Sequence, residues 1–257
     1  MSPPGLWSQH SGRPAGPLVG LIHGSLDRSA GLLRLARRLD GQACVLRYDR
    51  RGYGRSTPHA GPFDMDAQVA DLVTLLAGRP AVLVGHSFGG DVALATAVRH
   101  PELVRGVVVY EPPLSWLPWW PTTTAGSQAL DKNGDGDGDD HAEAAERFMR
   151  RLIGDHRWER LPARTRQARR DEGAAMIGEL ADLRDRAPWE PAAVGVPVVA
   201  LAGELGADHH RRGVAHLGEV LADVRTVEIA GAKHFGPNTH PDAVAAEVLG
   251  VLDRLPA

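Results

Sequence analysis

The stretch VLVGHSFGG, residues 82–90, centres a serine in a G-x-S-x-G string made by Gly85, Ser87 and Gly89. An apolar run of strand type precedes it and a helix-period segment follows. In that context a serine is presented on a sharp strand-to-helix turn as a nucleophile, and small residues two positions either side avoid clashes. A serine hydroxyl attacks poorly until a base takes its proton. The N-terminus of the following helix offers backbone N–H groups and positive potential to a developing oxyanion. Two other strings could carry chemistry. The pair His209 and His210, with His216, has histidines enough for a metal but no accompanying acid or cysteine pattern, and reads as solvated helix residues. In DKNGDGDGDDHAE (131–143), Asp131, Asn133, Asp135 and Gly136 match the opening positions of a calcium loop. Its twelfth position is Ala142 and the glutamate arrives one residue late, at Glu143, so the string reads as a polar low-complexity loop.

The elements that must position Ser87 alternate between short apolar runs and helix-period segments, the pattern of βαβ units around a parallel sheet. Strands are predicted at 17–24, 43–49, 81–85, 103–111, 196–203 and 225–231. Helices are predicted near 29–39, 64–77, 88–99, 209–221 and 241–253, the second with Asp64 or Asp66 as N-cap. Residues 112–192 interrupt the alternation, hold five of the six tryptophans and carry amphipathic helical patterns. A helical segment inserted between two parallel strands tends to cover the carboxyl edge, where such sheets bind ligands. The expected organisation is a core over 1–111 and 193–257, with a helical lid over 112–192.

Four strings, in this order, resemble the α/β-hydrolase superfamily over nearly the whole chain. LIHGS is similar to its H-G-x oxyanion loop, and YDRRGYGRS to its D-x-R-G-x-G-x-S loop. GHSFGG resembles its nucleophile elbow, and GAKHFGPNTHP its histidine loop. The resemblance implies an α/β-hydrolase fold with Ser87 as nucleophile and His234 as general base. It also implies an oxyanion hole made by the backbone N–H groups of Ser25 and Phe88. Few residues precede LVGLIHG, so the family's leading strands are expected to be shortened or missing. His23 and His86 flank the site and read as packing and loop-ordering residues, because only one base is needed. His240, before a proline at the start of the last helix, reads as structural.

The acid is the open point. The family usually places it three residues after the glycine ending the strand in LAG, and here that position is Gly206. Asp208 lies two residues further on, where an N-cap role explains it without catalysis. Some superfamily members carry the acid after the preceding strand, which here makes it Glu111, followed by Pro112 and Pro113. A carboxylate there lies at the carboxyl edge and can accept the Nδ1–H of the histidine. Glu111 is preferred, Asp208 is the fallback and Glu204 a third candidate.

Composition sets the remaining bounds. A chain of 257 residues suits one large α/β domain, or one domain carrying an insertion. With 43% hydrophobic and 24% charged residues and a net charge of −3, nothing points to nucleic acid or a membrane surface. The single cysteine, Cys44, forbids an internal disulfide and reads as a buried thiol. No signal peptide or membrane-spanning run is read, so the expectation is a cytoplasmic monomer or homodimer. The reading is a serine hydrolase acting on an ester, thioester or lactone with an apolar acyl part, needing no metal or organic cofactor. His23, Trp116, Trp119 and Trp120 are expected along its small-molecule pocket. The alternatives are a non-hydrolytic enzyme of the same fold (acyl transfer, lyase or cofactor-free oxygen chemistry) and a non-catalytic binding protein.

Overall fold

In a computed structural model describing residues 5–131 and 138–255, the chain begins with β1 (Ser8–Gly12) and β2 (Leu18–Ile22). The elements α1 (Leu33–Leu39), β3 (Cys44–Tyr48), α2 (Met65–Leu76), β4 (Ala81–His86), α3 (Phe88–Arg99) and β5 (Val104–Tyr110) follow. Between β5 and the next strand lie α4 (Ala125–Asp131), α5 (Gly138–Ile153), α6 (Asp155–Glu159), α7 (Ala163–Asp171) and α8 (Gly173–Asp185). The chain closes with β6 (Val198–Gly203), α9 (Asp208–Val220), β7 (Val224–Ile229), α10 (Gly236–Thr239) and α11 (Pro241–Leu252). Among the described residues one sheet has the order β1-β3-β2-β4-β5-β6-β7, parallel except for β1. This is the mostly parallel α/β sheet that the alternating pattern predicts. No helix of the described residues is long and apolar enough to cross a membrane.

The continuous apolar runs are explained by burial on both faces. Every residue of β2, β3, β4 and β6 is buried, as expected for strands covered by helices on each side. The leading segment does contribute a strand. β1 pairs antiparallel at the sheet edge, with Ser8 opposite Tyr48 and Gly12 opposite Cys44. Its residues are mostly half-buried or exposed, so it has no apolar periodicity to betray it; backbone hydrogen bonds hold it instead. Asp64 is the N-cap of α2, accepting from Ala67 N–H at 2.8 Å, whereas Asp66 pairs with Arg99 and Arg186. Asp208 is the first residue of α9, and its N-cap is Ala207, a correction to the sequence reading. There Asp208 is exposed, ion-paired with Arg211 and favourably placed on the helix dipole. The calcium-like string falls largely outside the described residues.

Strand order places the chemistry. β2 has β3 on one side and β4 on the other, so the chain reverses direction across the sheet at that point. The crevice beyond the carboxyl ends at such a reversal is where open α/β sheets bind ligands. Ser25 follows β2, Ser87 follows β4 and Glu111 follows β5. The registers His86 opposite Tyr110 and Tyr110 opposite Leu201 bring these strand ends level.

Candidate active site

Ser87 sits between β4 and α3 at φ 53°, ψ −130°, a conformation costly for any L-residue with a side chain. The turn closes only because its neighbours are bare. A Cβ on Gly85 would come 2.2 Å from the Gly89 carbonyl oxygen, and one on Gly89 2.3 Å from that of Ile22. Ser87 N–H donates to the Tyr110 carbonyl at 2.9 Å, tying the elbow to the next strand. Phe88 opens α3, where backbone donors have no partner inside the helix. The loop bearing Ser25 is held by His23, which is fully buried. His23 Nδ1–H donates to the Gly24 carbonyl and its Nε2 accepts from Arg50 N–H, each at 2.8 Å. Burial, and then the Arg50 guanidinium, push its pKa well down, so it stays neutral in this role.

Glu111 and His234 meet. The Glu111 carboxylate is buried, with Oε2 at 2.6 Å from His234 Nδ1 and Oε1 accepting from Gly203 N–H at 2.9 Å. A carboxylate only accepts, so the proton lies on Nδ1 and His234 Nε2 is left as the basic nitrogen. Glu111 itself has φ 48°, and Pro112 follows it. A left-handed residue before proline is doubly disfavoured, and the turn aims the side chain under the histidine loop. Gly206 belongs to the same arrangement: a Cβ there would lie 2.4 Å from Glu111 Oε1. The carboxylate entering from β5 occupies the space that a side chain at Gly206 would need. Asp208 points to solvent, and Glu204 Oε2 accepts from Gly231 N–H at 2.7 Å; neither is bonded to His234.

The residues beside the serine and the glutamate clamp the histidine loop. His86 Nε2–H donates to the His234 carbonyl at 2.7 Å, and Tyr110 O–H to the Lys233 carbonyl at 2.8 Å. Burial, with His234 beside it, pushes the His86 pKa down to about 3, so it donates as a neutral ring. His210 stacks on His234, with ring centroids 4.4 Å apart and planes 16° from parallel, and its buried Nδ1 has no partner. Burial first, then neighbouring His234, hold it well below the usual imidazole range. His209 and His210 are therefore not solvated helix residues. They turn inward because the first turn of α9 faces the site, which their spacing alone does not reveal. His216 packs its ring against Trp119 instead. Glu111, His210 and His234 each offer a ligand atom within 4.8 Å of the others, so they could hold a metal.

Ser87, Ser25 and His234 line one cavity of about 910 Å³, together with Trp120, Phe148 and Leu180. His23, Trp116 and Trp119 do not line it, contrary to the sequence expectation. His23 is sealed beneath its loop, Trp116 packs edge-on against Trp189, and Trp119 stacks with Arg212. Those tryptophans seat the residues after β5 on the core, a packing role.

Residues 21–247 match the sequence model of the alpha/beta hydrolase family. The chain belongs to that family. This hydrolase is 26% identical over 256 residues to 2-(acetamidomethylene)succinate hydrolase of Mesorhizobium japonicum, covering 93% of this chain and 89% of the relative. It is also 40% identical over 103 residues to the lipase LipV of Mycobacterium tuberculosis, covering 38% and 39% of the two chains. Among solved structures it resembles an alpha/beta hydrolase from Sphaerobacter thermophilus, with TM-score 0.74 and 22% identity over 96% of each chain.

Proposed function

We propose that the chain is a serine hydrolase of carboxylic esters, thioesters or lactones, working through an acyl-enzyme on Ser87. The observation that carries this reading is the 2.6 Å Glu111–His234 contact beside a cavity that Ser87 and His234 share. Ser87 Oγ attacks the substrate carbonyl carbon as its proton passes to His234 Nε2. The N–H groups of Ser25 and Phe88 hold the oxyanion, preset donors that stabilise charge as it develops. Collapse breaks the bond to the leaving group, which takes the proton from His234. Water then attacks the acyl-enzyme, His234 takes its proton, and Ser87 leaves with it as the acid is freed. Glu111 acts through His234, fixing the tautomer and stabilising the imidazolium.

Helices α4–α8, which supply Phe148 and Leu180 to the cavity, serve as a lid over a small-molecule substrate. The apolar part of the lining suits an apolar stretch of the substrate. Labelling by a fluorophosphonate tests the reading. Wild type is expected to be labelled at one site, and Ser87→Ala not at all. An unlabelled wild type, or labelling that persists in Ser87→Ala, removes the serine mechanism.

A further inference from the structure

The charges on the cavity wall are one-sided. Arg151, Arg157 and Arg184 reach it from the inserted helices and Lys233 from the histidine loop, while no aspartate or glutamate lines it among the described residues. Two other clefts differ. One pairs Arg28 and Arg55 with Asp49, Asp171 and Glu172, and another sets Arg150, Arg166 and Arg170 against Glu146 and Glu159. The contrast holds between sequence neighbours. Arg150 meets Glu146, Asp155 and Glu159, whereas among the described residues Arg151 has only the Thr123 carbonyl, at 3.3 Å. Arg184 pairs with Asp131 at 2.7 Å, but Arg157 and Lys233 have no carboxylate partner among the described residues. In a chain whose net charge is −3, four cations facing one concavity repel one another with little internal compensation. A concave, partly apolar wall raises the field at its centre, and an anion entering it replaces lost hydration with these donors.

We infer that the substrate of this hydrolase is an ester carrying an oxyanionic group, carboxylate or phosphate, at the end of a short apolar body. The inference rests on the serine-hydrolase reading and narrows it. Trp120, Phe148, Leu152 and Leu180 contact the body. The guanidinium groups of Arg151 and Arg157, with Lys233, take the anionic end while the ester carbonyl faces Ser87. Arginine forks suit either oxyanion.

The test compares two chromogenic esters of one length, mono-4-nitrophenyl adipate and 4-nitrophenyl hexanoate. Wild type is expected to favour the charged ester in kcat/KM by roughly tenfold or more at low salt, the scale of one or two charge-assisted contacts. The ratio should shrink as sodium chloride rises, because partly exposed charges are screened. It should fall towards one in the double variant Arg151→Gln/Arg157→Gln. Free adipate and hexyl phosphate as competitors tell which oxyanion is preferred. A wild-type ratio at or below one, or a ratio untouched by the double variant, overturns the inference. If neither ester turns over and fluorophosphonate labelling also fails, the serine mechanism is lost separately. The charge preference is then read by calorimetry with monomethyl adipate and dimethyl adipate. Tighter binding of the monoester sustains it, and equal or absent binding ends it.

Discussion

Gly206 and Glu111 form a pair of mutually exclusive positions. The glycine stands where family resemblance anticipates an acid, and a Cβ there would collide with Glu111 Oε1 at 2.4 Å. The Glu111 carboxylate at the end of β5 therefore requires a bare backbone at Gly206. The converse change follows. Glu111→Ala should slow fluorophosphonate labelling by about 10³- to 10⁴-fold, the usual scale for losing the residue that orients a catalytic histidine. Gly206→Asp alone should also be slow, because two carboxylates then compete for one space and repel each other. Glu111→Ala/Gly206→Asp should regain part of the rate. Labelling of the double variant no faster than Glu111→Ala would show that the vacated space cannot serve. From sequence, Glu111 and Asp208 are alternatives, because each follows one of two adjacent strands, β5 and β6. The decision needed the φ of 48° at Glu111, which no residue type announces.

At the scale of elements, one of the ties that fasten the inserted helices to the core is a fully buried guanidinium. Arg50 Nη1 meets Glu179 Oε2 at 2.6 Å, and neither side chain has any exposed surface. Tyr53 O–H donates to the other glutamate oxygen at 2.7 Å, and Arg50 Nε–H donates to the His23 carbonyl at 2.8 Å. The Arg50 guanidinium also lies 4.8 Å from the Phe88 ring centroid. Helix α8 is thus tied through Arg50 to the loop carrying Ser25, and its N-cap Glu172 pairs with Arg28 beyond that loop. A second tie runs from α8 to α2, where Met65 N–H donates to Asp182 Oδ2 at 2.7 Å. Removing one partner of a buried pair leaves an uncompensated charge, so Glu179→Ala should cost about 3–5 kcal/mol of stability. Urea unfolding measures this. A loss below about 1 kcal/mol would mean that apolar packing, not the ion pair, holds the insertion. The amphipathic pattern announced helices in this region, but Glu179 looks like any polar helix residue until its partner, 129 positions away, is known.

For the whole molecule, buried ionisable groups set the response to acid. Burial lowers the pKa values of His23, His86 and His210, whose ordinary value is 6.5. The unfolded chain takes protons at these positions below 6.5 while the folded one refuses them. Their contribution is intact above that pH and is lost as pH falls. Asp27 and Asp91 act oppositely: burial raises both from 3.8, so their contribution is lost as pH rises above that value. Asp91 Oδ2 has no partner, in keeping with a protonated carboxyl. The three imidazoles outnumber the two carboxyls, each unbalanced proton changing stability by about 1.4 kcal/mol per pH unit. Thermal unfolding followed by circular dichroism should show Tm falling from pH 7 to pH 5. It should fall more steeply in Asp91→Asn, which removes one opposing group. A Tm that rises on acidification would contradict this balance.

The sequence by itself determined what is local. Strand and helix alternation follows from apolar periodicity, the elbow from glycines that only a close backbone approach requires, and the serine from its place between them. Tertiary structure decided what depends on residues far apart in the chain. Glu111 and His234 are 123 positions apart, and their contact exists because parallel strands end level at one edge of the sheet. The same edge turns His210 onto His234 and gathers arginines from three helices with Lys233 around one cavity. Periodicity carries no record of these meetings, since each residue obeys only its own helix or loop until the sheet brings them together.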